Sequence, residues 1–143
     1  MLTMGLVCAA LMVATTLIHY EALRLITKLL PRLPLPPRAR LIVAVLGAFA
    51  AHLLEIALYG LAAWSAMHLL ALGSLGTGPE PGISMVLYFS AETYTSLGYG
   101  DVVPQGPLRM LAGVEALNGL VLIGWSASFL YVVMERFWTP PPA

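Results

Sequence analysis

Apolar positions along this chain fall into three long blocks, and none of them alternates with polar residues as a half-buried strand would. Residues 2–18 are almost uniformly apolar, and the pattern then turns amphipathic through Leu30. In that second part Arg24 and Lys28 stand four apart on one face, while Leu23, Ile26 and Leu30 line another. A second block runs over 41–72 and a third over 108–134, both without an internal proline. Blocks of this length predict membrane-spanning helices, since about 20 residues cross a hydrocarbon core. The second is longer than that and must tilt or protrude.

The connections are as informative as the blocks. Between the first two lies a stiff link over 31–40, with Pro31, Pro34, Pro36 and Pro37 among Arg32, Arg38 and Arg40; it ends one helix and starts another. Between the second and third, a glycine- and proline-rich stretch over 73–82 leads into a short, mostly apolar helix predicted at 83–95, with Ser84 as a candidate N-cap. About a dozen helical residues cannot cross a bilayer, so this helix is re-entrant or buried. A glycine-rich segment at 96–100 follows, and Pro104 and Pro107 lead into a last helix predicted at 107–136.

Composition agrees with a membrane protein: apolar residues make up 59% of the 143, and charged residues only 10% against about 25% in soluble chains. Seven basic and seven acidic side chains cancel, which gives no basis for nucleic-acid binding. The single cysteine, Cys8, lies in an apolar run; it excludes an intrachain disulfide and reads as a small packing residue. No basic region precedes the first block, so a retained helix is expected rather than a cleaved signal peptide. Arg24, Lys28, Arg32, Arg38 and Arg40 cluster around the proline link, Arg136 follows the third block, and 73–82 has no basic residue. The positive-inside rule then places the link and the C-terminus in the cytoplasm and the N-terminus outside, in a multi-pass cell-membrane protein. The residues after Thr139 are too few for a domain.

The glycine segment needs its own physical account. Non-helical backbone at membrane depth persists only when buried in protein or lining a water-filled path. Gly98 and Gly100 alternate with Leu97 and Tyr99, and glycine reaches positive φ at little cost, so successive carbonyls can aim in one direction. Four such segments around an axis make stacked rings of carbonyl oxygens able to replace the water shell of a monovalent cation. One segment cannot surround an ion, so this chemistry requires an oligomer.

Thr95, Ser96, Leu97, Gly98, Tyr99, Gly100 and Asp101, placed between a short helix and a membrane span, resemble the filter signature of the potassium-channel pore-domain family. The resemblance covers about 41–138 and implies an all-α membrane protein: an outer helix at 41–72, a pore helix at 83–95, a filter at 96–100 and an inner helix at 107–136, assembled as a homotetramer. The helix at 1–30 is additional, and without an arginine ladder it is not read as a voltage sensor. The family implies K⁺ as the permeant ion, held by the backbone carbonyls of Ser96, Leu97, Gly98 and Tyr99 with the Ser96 hydroxyl, and Gly100 beyond them. It further implies support of the filter by Glu92, Thr95, Tyr88 and Asp101; Glu92 stands nine residues before Asp101, the spacing at which some prokaryotic members pair the two. Gly119 falls where the family often has an inner-helix hinge. Ser96 stands for the usual threonine, Leu97 for a β-branched residue, and Tyr88 and Phe89 for the tryptophans that many relatives carry in the pore helix. Small residues Ala116, Gly119, Ala127 and Ser128 permit close packing or line a cavity.

Polar residues inside the blocks need partners. An isolated charge at the bilayer centre costs at least about 2.5 kcal/mol. Glu55 therefore faces protein, either in one cluster with Glu115, Asn118 and His52, or with each residue satisfied separately. His19, His68, Trp64 and Trp138 are expected at the membrane interfaces, and Trp125, between Gly124 and Ser126, at a close helix contact. No catalytic triad, His-x-x-x-His pair, phosphate loop or cofactor fingerprint is present. The expectation is thus no enzyme, no organic cofactor and no small-molecule substrate, with lipid as the surroundings. A weakly selective cation channel and a non-conducting scaffold of the same fold stand as the alternatives.

Overall fold

The computed structural model describes residues 1–76 and 81–138; positions 77–80 of the flexible stretch and the tail from 139 lie outside the described residues. The described residues form four α-helices: α1 (Leu2–Leu29), α2 (Pro37–His68), α3 (Ile83–Tyr94) and α4 (Leu108–Trp138). The first, second and fourth are long and apolar enough to cross a membrane. The architecture is that of an all-α membrane protein.

The bounds of α2 differ from those read in the sequence. The helix starts at Pro37, because proline at the first helical position loses only an N–H that has no intrahelical partner there. It ends at His68, where the chain wraps back: Leu72 N donates to Ala66 O at 2.8 Å, and Ala71 and Gly73 have φ of 52° and 97°. A single 3-10 turn, Leu30–Arg32, closes α1.

The first helix docks through one stripe. Met4, Cys8, Leu11, Thr15, His19 and Leu23 are buried at spacings of three and four, so they share a face that fills the groove between α2 and α4. On the far side of that groove α3 is wedged between the same two helices. The core joins Met4, Cys8 and Leu11 to Tyr59, Ala63, Val86, Phe89, Tyr94, Leu108 and Leu111. Leu6, Val13, Leu46, Phe49, Leu53, Val121 and Val132 point outward, which in water would be a large exposed apolar surface and in a bilayer is the ordinary one.

A two-residue ladder, β1 (Ser74–Leu75) with β2 (Pro104–Gln105), ties the end of the α2 connection to the segment leaving the glycine loop. Gly76 N extends it to Val103 O at 2.9 Å, and Gln105 Nε2 reaches Gly76 O at 3.0 Å. Gly73 is required beside it, since a Cβ there would run into the Gln105 carbonyl. This ladder was not legible in the sequence, because two-residue strands carry no periodicity.

Candidate functional site: the glycine loop and its supports

The loop begins where α3 runs out of helix. Thr95 N and Thr95 Oγ1 both donate to Ala91 O, at 3.2 and 2.8 Å, and Ser96 N turns in to Thr93 O at 3.0 Å. Leu97 N and Gly98 N then both reach back to Glu92 O, at 2.8 and 3.3 Å, and Tyr99 N donates to Glu92 Oε2 at 3.2 Å. Five consecutive N–H groups, from Thr95 to Tyr99, are thus collected by the last turn of α3. Among the described residues, no intramolecular hydrogen bond ends on the carbonyls of Ser96, Leu97, Gly98, Tyr99 or Gly100.

Backbone handedness alternates along this stretch. Ser96, Gly98 and Gly100 have φ of 56°, 55° and 81°, while Leu97 and Tyr99 between them do not enter the positive region. The two glycines accept that conformation at little cost, whereas Ser96 does so against its own Cβ. The alternation thus starts one residue before the first glycine. Leu97 and Tyr99 are 58% and 69% exposed in the single chain.

Behind the loop lies a space of about 320 Å³, lined by Glu92, Ser96, Gly98, Gly100, Val102 and Ala116 among others. Glu92 is buried at its wall. Asp101 is held elsewhere: Tyr88 Oη donates to its two carboxylate oxygens at 3.0 and 3.2 Å, and Val102 N donates to Oδ1 at 3.1 Å. No hydrogen bond joins Glu92 to Asp101. Both carboxylates brace the 99–102 end of the loop, Glu92 through Tyr99 N and Asp101 through Tyr88 and Val102 N.

Gly119 sits at the crossing of α3 and α4. The backbone carbonyl of Tyr94 occupies the place where a Cβ on Gly119 would lie, so the close approach needs glycine. Of the other small residues on α4, Ala116 lines the space behind the loop, Ala127 lines a groove on the α2 side, and Ser128 Oγ donates to Gly124 O at 3.0 Å.

The intramembrane polar residues are buried, but the structure does not gather Glu55, Glu115 and Asn118 into one cluster. Glu115 accepts a 2.5 Å hydrogen bond from Ser90 Oγ, which also contacts Ile56 O at 2.7 Å. Asn118 Nδ2 donates to Thr15 Oγ1 at 2.7 Å. Glu55 meets both His19 and His52 as well as Tyr94. The interfacial position expected for His19 is overturned: its side chain is fully buried against Glu55, because it belongs to the same stripe as Thr15 and Leu23. That spacing was the missed signal. His68 stays exposed, stacked on Trp64 with ring centroids 4.6 Å apart. Trp125 packs its ring 5.4 Å from that of His19.

Spanning helices around a short re-entrant helix, which delivers a loop of unpaired carbonyls, define the pore domain of an ion channel. A family model described as "Ion channel" matches residues 41–136, and the chain belongs to that potassium-channel pore-domain family, an oligomeric class of multi-pass membrane proteins. It is similar to the inward rectifier potassium channel Kirbac3.1 of Paramagnetospirillum magnetotacticum, with 34% identity over 73 residues. The match covers 50% of this chain and 25% of that protein, so the chain spans a quarter of this relative's length. No solved structure matches.

Proposed function

We propose that four copies of this chain form a passive, K⁺-selective pore in the cell membrane, with the N-terminus outside and the C-terminus cytoplasmic. One observation carries the reading: every N–H from Ser96 to Tyr99 is turned back onto α3, and the carbonyls of the same residues have no partner among the described residues. Unpaired carbonyls at membrane depth cost several kcal/mol each, and a dehydrated cation on the axis removes that cost. The carbonyls of Ser96, Leu97, Gly98 and Tyr99 and the Ser96 hydroxyl hold the ion, with Gly100 at the outer end. Exposure of Leu97 and Tyr99 in the single chain supports neighbouring copies as their cover.

Glu92 and Asp101 keep the loop in register during passage, Thr95 anchors its inner end, and Tyr88 holds Asp101. A bend of α4 at Gly119 moves the seat of the Tyr94 carbonyl, so the hinge and the inner end of the filter act as one unit. The similarity to a protein named as a potassium channel favours K⁺ over other monovalent cations.

The test is ion flux from proteoliposomes of the purified chain, followed by a K⁺/Na⁺ bi-ionic reversal potential. K⁺ efflux from the wild type, its loss in Gly98→Ala, and a reversal potential displaced toward K⁺ are expected. Flux with equal K⁺ and Na⁺ permeability would replace the proposal with a weakly selective cation channel. No flux from intact tetramers would replace it with a scaffold.

A further inference from the structure

Away from the loop, a close group of ligating atoms among the described residues lies where all four helices meet. His19 comes from α1, His52 and Glu55 from α2, Tyr94 from the end of α3 and Ser126 from α4. His19 Nδ1 stands 2.9 Å from Glu55 Oε1; His52 Nδ1 stands 3.2 Å from Glu55 Oε2 and 2.9 Å from Tyr94 Oη. The Tyr94 hydroxyl donates to Glu55 Oε2. The other two ring nitrogens share one atom: His52 Nε2 and His19 Nε2 lie 2.9 and 3.3 Å from Ser126 Oγ. His19 and Glu55 are fully buried, and the His52 side chain is 15% exposed.

Counting protons shows what is unusual. If each Nδ1 carries its proton toward the carboxylate, both Nε2 atoms are acceptors, and the Ser126 hydroxyl has one proton for the two of them. On the other side, the Nδ1–H of His52 faces two oxygens. A cation at the centre removes both mismatches. Each Nδ1 becomes a ligand through its lone pair, each Nε2 carries the ring proton, and the two lone pairs of Ser126 Oγ accept both. Outward donation of the second ring N–H is the usual support of a metal-bound imidazole. Distances agree as well. Tetrahedral bonds of about 2.0–2.1 Å put ligand atoms about 3.3 Å apart, and the ligand atoms of His19, His52 and Glu55 all lie within 4.8 Å of one another.

We propose that His19 Nδ1, His52 Nδ1 and the Glu55 carboxylate bind one divalent transition-metal ion of the Zn²⁺ class in each subunit, with Tyr94 Oη beside the fourth position. Two imidazoles and a carboxylate suit Zn²⁺ and its neighbours, whereas Mg²⁺ and Ca²⁺ require oxygen ligands. His52, Tyr94 and Ser126 border a lateral groove of about 490 Å³ whose other walls are largely apolar. The ion ties the additional helix α1 to Tyr94, which stands two residues before the filter and whose carbonyl rests on Gly119. Metal occupancy therefore stiffens the inner end of the filter and gives α1 a role.

The experiment titrates Co²⁺ into the full chain in nanodiscs after chelator treatment, reading visible absorption and metal content. Intense tetrahedral Co²⁺ bands saturating at one ion per chain and displaced by Zn²⁺ are expected. His19→Ala and His52→Ala remove them, Ser126→Ala keeps the ligands but weakens binding about 10–100-fold, and His68→Ala changes nothing. Size exclusion reports assembly of each variant. Should the histidine variants fail to assemble, the wild-type spectrum and Ser126→Ala decide. No tetrahedral bands in the wild type, or bands unchanged in assembled His19→Ala and His52→Ala, overturn the proposal and leave a network held by protons alone. The readout needs no conduction, so its failure is separable from failure of the channel reading.

Discussion

The carbonyl oxygen of Tyr94 lies against the Cα of Gly119, in the position a β-carbon would take. Tyr94 ends the pore helix and Gly119 is inside the last spanning helix, so the filter's inner end and the inner helix meet backbone to backbone. Gly119→Ala is expected to push the two apart. Overpacking costs about 1–3 kcal/mol, and a backbone neighbour with no rotamer to change places this site at the upper end. The check is a lowered melting temperature of the assembled protein in detergent, with loss of flux in the fraction that still assembles.

Ser96 is a non-glycine residue at φ 56°. Restoring the threonine usual in the family should therefore harm this filter. A β-branched side chain is a worse occupant of left-handed backbone than serine, and the left-handed region already costs about 1–2 kcal/mol per ordinary residue. Ser96→Thr is expected to reduce K⁺ flux or steepen its decay. Ser96→Gly relieves the strain and loses the hydroxyl, so it should assemble at least as well as the wild type while conducting less. Single-channel recordings of the two variants test this.

Tyr88 and Asp101 form the outer brace of the loop, with the phenol donating to both carboxylate oxygens. Tyr88→Phe and Asp101→Asn each weaken the same contact. Both are expected to shorten open times, and the double variant to be no worse than the more severe single one. Additive effects would mean that the two residues act separately.

Glu115 and Ser90 make a different prediction. Glu115 is buried, its Oε2 has no partner among the described residues, and its Oε1 depends on Ser90. Ser90→Ala leaves the whole carboxyl without a partner and should cost about 1–3 kcal/mol of stability. Glu115→Gln keeps an acceptor for the Ser90 hydroxyl and should cost less. Thermal unfolding in detergent, followed by circular dichroism, ranks the pair.

The spans were legible because a hydrocarbon core imposes length and apolarity on local sequence, whatever the tertiary arrangement. The loop at 95–101 was legible because its chemistry is written in consecutive residues. His19 was not, since its partner Glu55 lies 36 positions away on another helix, and spacing along α1 shows a face without showing what faces it. The same holds for Thr15 and Asn118, which are 103 positions apart. The resemblance suggested Glu92 and Asp101 as a pair, but each takes its own partners, Tyr99 N for Glu92 and Tyr88 with Val102 N for Asp101.

By itself, then, the order of residues determined a three-span membrane chain with a glycine-rich segment behind a short helix. That follows from solvent exclusion and from which residues tolerate positive φ, both local matters. Helix packing decided which polar side chains of different helices meet, which glycine is a contact, and that α1 brings the His19 imidazole onto the carboxylate that already faces His52 on α2. Those outcomes depend on crossing angles and axial offsets, which no single segment encodes.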